Sequence, residues 1–141
     1  MQGFFQRFFS LYRPLVNQLN ELLGEYDLSY SLWQVIVYLK NNGKSSLVDI
    51  AGYYNIEKPS ITRRVHALEK MLLIQETADG KDQRKKVIQL TDKAEDLYKI
   101  CRERITELEY MAIIGLTKEE QLAVYTALPK IQLNIINGKD L

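Results

Sequence analysis

One cysteine, Cys101, and one histidine, His66, are all that the 141-residue chain has of either type. An intrachain disulfide is therefore impossible, and a Cys/His zinc cage lacks ligands. No stretch approaches the roughly 20 uninterrupted apolar residues that a membrane-spanning helix needs. The Phe-rich start is broken by Gln6, Arg7, Ser10 and Arg13, so neither a spanning segment nor a secretory signal is expected. A reducing cytoplasm is the expected compartment, with no membrane partner. No nucleophile–base pairing, glycine-rich phosphate loop or metal-ligand cluster can be assembled from these residues, which argues against an enzyme and against a cofactor or metal. Charge of one sign is also scarce overall: the net is +1, which by itself says little about a nucleic-acid partner.

What is present is an ordinary globular composition, 46% apolar and 26% charged, sized for one domain. The charge is unevenly placed. From Lys58 to Lys86 there are eight Lys and Arg against four acids, while the rest of the chain is slightly acidic.

Phe4, Phe8, Leu11, Leu15, Leu19 and Leu22 recur every three or four residues, which predicts a helix with one apolar face, widened by Phe5, Phe9, Tyr12, Val16 and Leu23. So much apolar surface on one helix is most economically covered by a partner subunit, the other reading being a long core helix of a monomer. Pro14 should loosen or bend it. Gly24 to Leu28 reads as a break. Ser29 or Ser31 then caps a second helix through Trp33, Val35, Ile36 and Leu39, ending at Asn41-Asn42-Gly43. Ser46 caps a short helix from Leu47 to Tyr54 with Ile50 and Ala51 inward, and Asn55 makes a turn.

Pro59 suits a first helical turn, and Ile61, Val65, Leu68 and Leu72 step by four, three and four, so they are expected to face the core. Ser60, Thr62, Arg63, Arg64 and Ala67 fall on the remaining surface. Two short helices joined by a brief turn, the second opening with exposed Ser, Thr and Arg, make the layout of a helix-turn-helix. Next come two β-capable runs, Ile74 to Ala78 and Val87 to Leu90, joined by a polar loop with Asp79-Gly80 as its turn signal. Its basic tip would project as a wing. Thr91 caps a long helix running to about Ile114, and Thr117 with Glu120 forms a capping box opening a last helix, which Pro129 should kink.

The element order and several residues together resemble the MarR (multiple antibiotic resistance regulator) family over nearly the whole chain. Leu28-Ser29 and Trp33-Gln34-Val35 resemble the opening of that family's second helix. Ile50-Ala51, the run from Lys58 to Arg63, and Leu68-Glu69-Lys70 resemble its helix-turn-helix. Asp79-Gly80-Lys81-Asp82-Gln83-Arg84 is similar to its wing signature Asp-x-Arg-Asp-x-Arg and is the most specific match. The chain departs from the pattern at Lys81, where Arg is usual; at Leu72, where a Gly usually ends the recognition helix and whose absence should soften the exit into the wing; and at Pro129, inside a dimerisation helix.

The resemblance implies a mainly α, α+β fold: a winged helix-turn-helix lobe over 28–91 with a two-stranded wing, and dimerisation helices over 1–27 and 92–141. It implies a sequence-specific transcription regulator, by default a repressor, that binds double-stranded DNA as a homodimer. On a recognition helix, Ser60, Thr62, Arg63 and Arg64 would present hydrogen-bonding side chains to base edges, Arg63 or Arg64 approaching a guanine or a phosphate, and Lys58 and Ser60 would meet the DNA backbone. The alternative is that these arginines only solvate the helix or pair with Glu57 and Glu69. In the wing, Arg84 suits a narrow minor groove and Lys81, Lys85 and Lys86 suit phosphates. Asp79 and Asp82 are implied to brace the loop and orient Arg84. A small aromatic effector is also implied, with Tyr12, Tyr30, Trp33 and Tyr38 as candidate contacts, unless those rings are ordinary core. Cys101 is either an oxidant sensor or a buried inert thiol. The competing function class is a winged-helix module used for protein–protein contact.

Overall fold

A computed structural model of the chain describes residues 2–78 and 86–138. Their order is α1 (Phe4–Gly24), α2 (Tyr30–Asn42), α3 (Leu47–Tyr54), α4 (Lys58–Lys70), β1 (Ile74–Ala78), β2 (Lys86–Leu90), α5 (Asp92–Ala112) and α6 (Lys118–Asn137). By its contacts the chain forms two units, Met1–Ile105 and Thr106–Leu141.

Local chemistry sets most of the boundaries. Ser29, and not Ser31, caps α2 by accepting the Leu32 N–H, and the Tyr30 N–H is taken by the Asn20 side chain of α1 at 2.8 Å. Ser46 and Asp49 form a reciprocal capping box at the start of α3, and Thr117 and Glu120 form another at the start of α6. Each box satisfies two N–H groups that a helix start otherwise leaves unpaired. Helix α1 runs through Pro14 and α6 through Pro129 without interruption of the helical assignment. Helix α5 stops at Ala112, slightly short of the expected end, with Gly115 at φ +89° in the following turn.

The exit from α4 differs from the sequence expectation. Leu72 is not on the core stripe: it lies beyond the helix, 68% exposed, and Leu73 is the residue fully buried there. Leu72 takes the left-handed φ of +60° that glycine usually supplies, and the turn closes as tightly as a glycine would allow. The Leu72 N–H bonds to Glu69 C=O at 2.9 Å and the Leu73 N–H to Leu68 C=O at 3.0 Å, the paired bonds of a Schellman cap. Side chains downstream hold the joint: the Thr91 hydroxyl donates to Leu72 C=O at 2.7 Å, and Lys93 Nζ donates to Met71 C=O at 2.9 Å. A leucine in this backbone region costs about 1–2 kcal/mol, partly offset by the lower chain entropy it brings to the unfolded state. Leu72→Gly is therefore expected to stabilise the protein by about 1 kcal/mol, seen as a rise of a few degrees in thermal midpoint; a fall would contradict the strain.

Strands β1 and β2 pair antiparallel, Ile74 with Leu90 through Ala78 with Lys86, so Lys86 belongs to the strand and not to the loop before it. Ser45 adds an isolated bridge to Ile88, exchanging both backbone bonds at 3.1 and 2.8 Å. The sequence pattern does not announce this third edge, because one paired residue has no period.

The core of the first unit collects Val35, Ile36 and Leu39 from α2, Ile50 from α3, Ile61, Val65 and Leu68 from α4, Leu73, and Ile88 from β2. Leu23 from the end of α1 and Ala94, Cys101 and Ile105 from α5 close it. The α1 stripe is thus split: its last turns are buried or half-buried, while Phe4, Phe5, Phe8, Phe9, Leu11, Tyr12 and Leu15 stay exposed. In the second unit α6 has no fully buried side chain, and Leu122, Tyr125, Leu128, Leu133, Ile135 and Ile136 are exposed.

Candidate nucleic-acid interface

Helix α4 buries Ile61, Val65 and Leu68, which turns the positions between them outward. Lys58, Arg63 and His66 are exposed, and Ser60, Thr62 and Arg64 are half-buried. Their hydrogen bonds divide them. Thr62 donates its hydroxyl to its own helix, at Lys58 C=O, 3.0 Å. Arg63 donates from Nη2 to Ser60 Oγ at 3.0 Å, one turn earlier, which steadies an exposed guanidinium. Arg64 turns the other way: its Nη1 donates to Gln34 Oε1 at 3.0 Å and reaches Ser31 C=O at 3.4 Å, both on α2. Neither arginine needs Glu57 or Glu69 as its partner.

Beside Arg64 stands a group of tyrosines. Tyr38 and Tyr53 have ring centroids 5.2 Å apart, and Tyr53 and Tyr54 4.9 Å. The Tyr54 hydroxyl donates to Gln34 C=O at 2.7 Å. Burial, then the neighbouring tyrosines, push its pKa up to about 12 against the partial opposition of Arg64, so it stays a donor at any physiological pH.

Lys86 is exposed where β2 begins, at the loop end of the strand pair, 3.9 Å from Glu76 on the opposite strand. Asp79, Lys81, Asp82, Arg84 and Lys85 lie outside the described residues.

The four aromatics named as ligand contacts have different surroundings. Trp33 is in the core, stacked on Tyr98 of α5 at 5.3 Å with a 10° tilt, and Lys40 lies over the other ring at 5.5 Å. Glu95 pairs with Lys40 at 2.6 Å, and that bond raises the lysine's pKa. Tyr38 belongs to the Tyr53 and Tyr54 group, whereas Tyr12 is on the exposed part of α1 against Phe8. Tyr30 is half-buried at the start of α2. Cys101 is fully buried, and burial holds its thiol pKa up although Arg104 pulls the other way. That favours the inert reading, since the thiolate is the reactive form. Arg104 bonds to Glu25 and to the Tyr26 hydroxyl, joining α5 to the end of α1 and lowering the Glu25 pKa.

Not foreseen from the sequence are Gln34 and Ser31, which accept from Arg64, and Tyr54, whose hydroxyl donates to Gln34. They are 20 to 33 positions away from their partners, so no local pattern marks them. Among the described residues no helix is long and apolar enough to cross a membrane.

A two-stranded hairpin following a helix-turn-helix whose second helix exposes Lys, Arg and hydroxyl side chains defines a winged helix-turn-helix transcription regulator, a DNA-binding protein and not an enzyme. The MarR family model matches residues 28–86. An uncharacterized HTH-type transcriptional regulator of Staphylococcus aureus (strain Mu50) is 28% identical over 120 residues, 85% of this chain and 82% of the relative. The HTH-type transcriptional regulator FarR of Neisseria gonorrhoeae is 31% identical over 108 residues, 77% of this chain and 73% of FarR. Among solved structures, S. aureus MarR in complex with salicylate and kanamycin superposes with TM-score 0.84 at 24% identity, over 96% of this chain and 91% of that one. A mutant MarR from E. coli complexed with operator DNA superposes with TM-score 0.82 at 16% identity, over 92% and 94% of the two chains. The chain belongs to the MarR family.

Proposed function

We propose that this regulator binds a pseudo-palindromic operator as a homodimer, lowers transcription from it, and is released by a small aromatic ligand. The observation that carries the DNA reading is Arg63, exposed on α4 and steadied by Ser60, within the one stretch of chain that concentrates positive charge. A guanidinium held in place loses less freedom when it meets a guanine edge or a phosphate. Lys58 and Ser60 meet the backbone at the start of α4, with Thr62 beside them, and Arg64 serves from behind. In the wing, Arg84 enters the minor groove, Lys81, Lys85 and Lys86 reach phosphates, and Asp79 and Asp82 brace the loop.

The lobe over 28–91 reads DNA, and 1–27 with 92–141 supply the subunit contacts. Exposed apolar side chains on α1 and on α6 support this, because such surface is costly to leave in water. Two lobes related by a two-fold axis read half-sites about one helical turn apart. A ligand that changes their separation therefore weakens binding. Salicylate in the S. aureus relative is the model for its chemistry, and Tyr12 and Tyr30 are the rings least committed to packing. Such a protein works where the chromosome is, in the cytoplasm.

The test is retardation of duplex DNA against ionic strength. Affinity for a mixed-sequence duplex should fall steeply as salt rises, and Arg63→Ala should cost about 1–3 kcal/mol on a selected site while changing stability by no more than about 0.5 kcal/mol. If no duplex is retarded even at low salt, the fold serves protein–protein contact instead.

A further inference from the structure

Two adjacent arginines on one DNA-reading helix are engaged differently, Arg63 within α4 and Arg64 on α2, and the second meets a residue to which a third helix is also tied. Gln34 lies in the middle of α2. Its side-chain oxygen accepts from Arg64 of α4 at 3.0 Å, and its backbone carbonyl accepts from the Tyr54 hydroxyl of α3 at 2.7 Å. Ser31 C=O, one turn earlier on α2, gives the same guanidinium nitrogen a second acceptor at 3.4 Å. One residue therefore gathers both helices of the helix-turn-helix onto α2.

We propose that Arg64 is a positioning residue: with Gln34 it fixes the rotation of α4 about its axis, and so the direction in which Arg63 is presented, without itself touching DNA. This rests on the reading of α4 as the DNA-reading helix. Consecutive helical residues point about 100° apart, so a guanidinium anchored to α2 fixes the direction of its neighbour. Reading a base edge demands side-chain placement within about 0.5 Å and 10–20°, which apolar packing of Ile61, Val65 and Leu68 alone does not guarantee, because apolar contacts have no direction. The corner is half-buried by Tyr54 and its neighbours, where a hydrogen bond to a charged group counts for more than it does in water. One guanidinium nitrogen carries two N–H groups, and here that nitrogen reaches Gln34 Oε1 and Ser31 C=O together.

The experiment uses the full-length chain and two duplexes of about 30 base pairs, long enough for two half-sites. One is selected by the wild-type protein from a randomised pool, and the other is unselected. Gln34→Met keeps the side-chain length but removes the acceptor, Arg64→Met removes the donor, and Gln34→Glu restores an acceptor. Each Met variant should lower the ratio of selected to unselected affinity roughly tenfold, the double variant no further than either single, with the salt slope unchanged. Gln34→Glu should keep the wild-type ratio.

Arg64 is instead a phosphate contact if Arg64→Met weakens both duplexes alike and lowers the salt slope by about one. The proposal also fails if Gln34→Met leaves the ratio at the wild-type value. Should Arg64→Met not fold, Gln34→Met against Gln34→Glu decides alone. A wild-type protein that retards neither duplex overturns the DNA reading itself, before any variant is compared.

Discussion

Replacing Phe8 and Leu15 together by Asp is expected to convert the proposed homodimer to single subunits and to weaken its binding to the proposed operator by about a hundredfold or more, with the fold of each subunit retained. Both side chains are exposed on the part of α1 that precedes its buried last turns, so neither supports the core of the first unit. If this face loses its water in the dimer, two carboxylates on it would have to be buried unpaired, at a cost of several kcal/mol. A single lobe then binds DNA with its own contacts only, without the second half-site. Analytical ultracentrifugation gives the mass, circular dichroism the fold, and retardation the affinity. An unchanged dimer mass would remove α1 from the interface, and a monomer with full affinity would remove dimerisation from the mechanism.

Ile61→Ala should produce the second large effect, this time on stability. Ile61 is fully buried on α4, on the same face as Val65 and Leu68, in the core shared with α2 and α3. Removing its outer carbons forfeits their transfer free energy and leaves a cavity, about 2–5 kcal/mol together, against a total stability of about 5–15 kcal/mol for a domain. The urea midpoint should fall with little change in slope. Arg63→Ala, two residues further on, should hardly move it, because that side chain is exposed. The pair separates what holds the recognition helix in place from what it presents. Equal losses of stability would mean that α4 is not seated as described.

The Gln34–Arg64 tie bears on how such a lobe is tuned. A polar contact between α2 and α4 can alter the presentation of Arg63 while every residue facing DNA stays the same, so change at position 34 reaches specificity without entering the interface. Leu72 illustrates a similar separation at the other end of α4. Its backbone turn is made by hydrogen bonds from Thr91 and Lys93 and by the buried Leu68 and Leu73, and it closes although the residue type is poorly suited to it.

Legibility in the sequence followed the range of the interaction concerned. Ser46 with Asp49 and Thr117 with Glu120 are partners within one turn, and Asn55 sits where a left-handed residue must end α3, so the helix starts and stops follow from neighbours in the chain. The apolar steps of α4 and the two β-capable runs likewise carry their own periods, and with them the winged helix-turn-helix. The wing's basic composition was legible as well, although five of its named residues lie outside the described part. What tertiary structure alone decided is which of two like neighbours does which job: Arg63 outward and Arg64 inward, Leu73 buried and Leu72 exposed, and Trp33 stacked on Tyr98 in the core. Helical periodicity places such residues only to within about 100°, and the partner that settles the matter, Gln34 for Arg64 or Tyr98 for Trp33, is dozens of residues away and known only once the helices have packed.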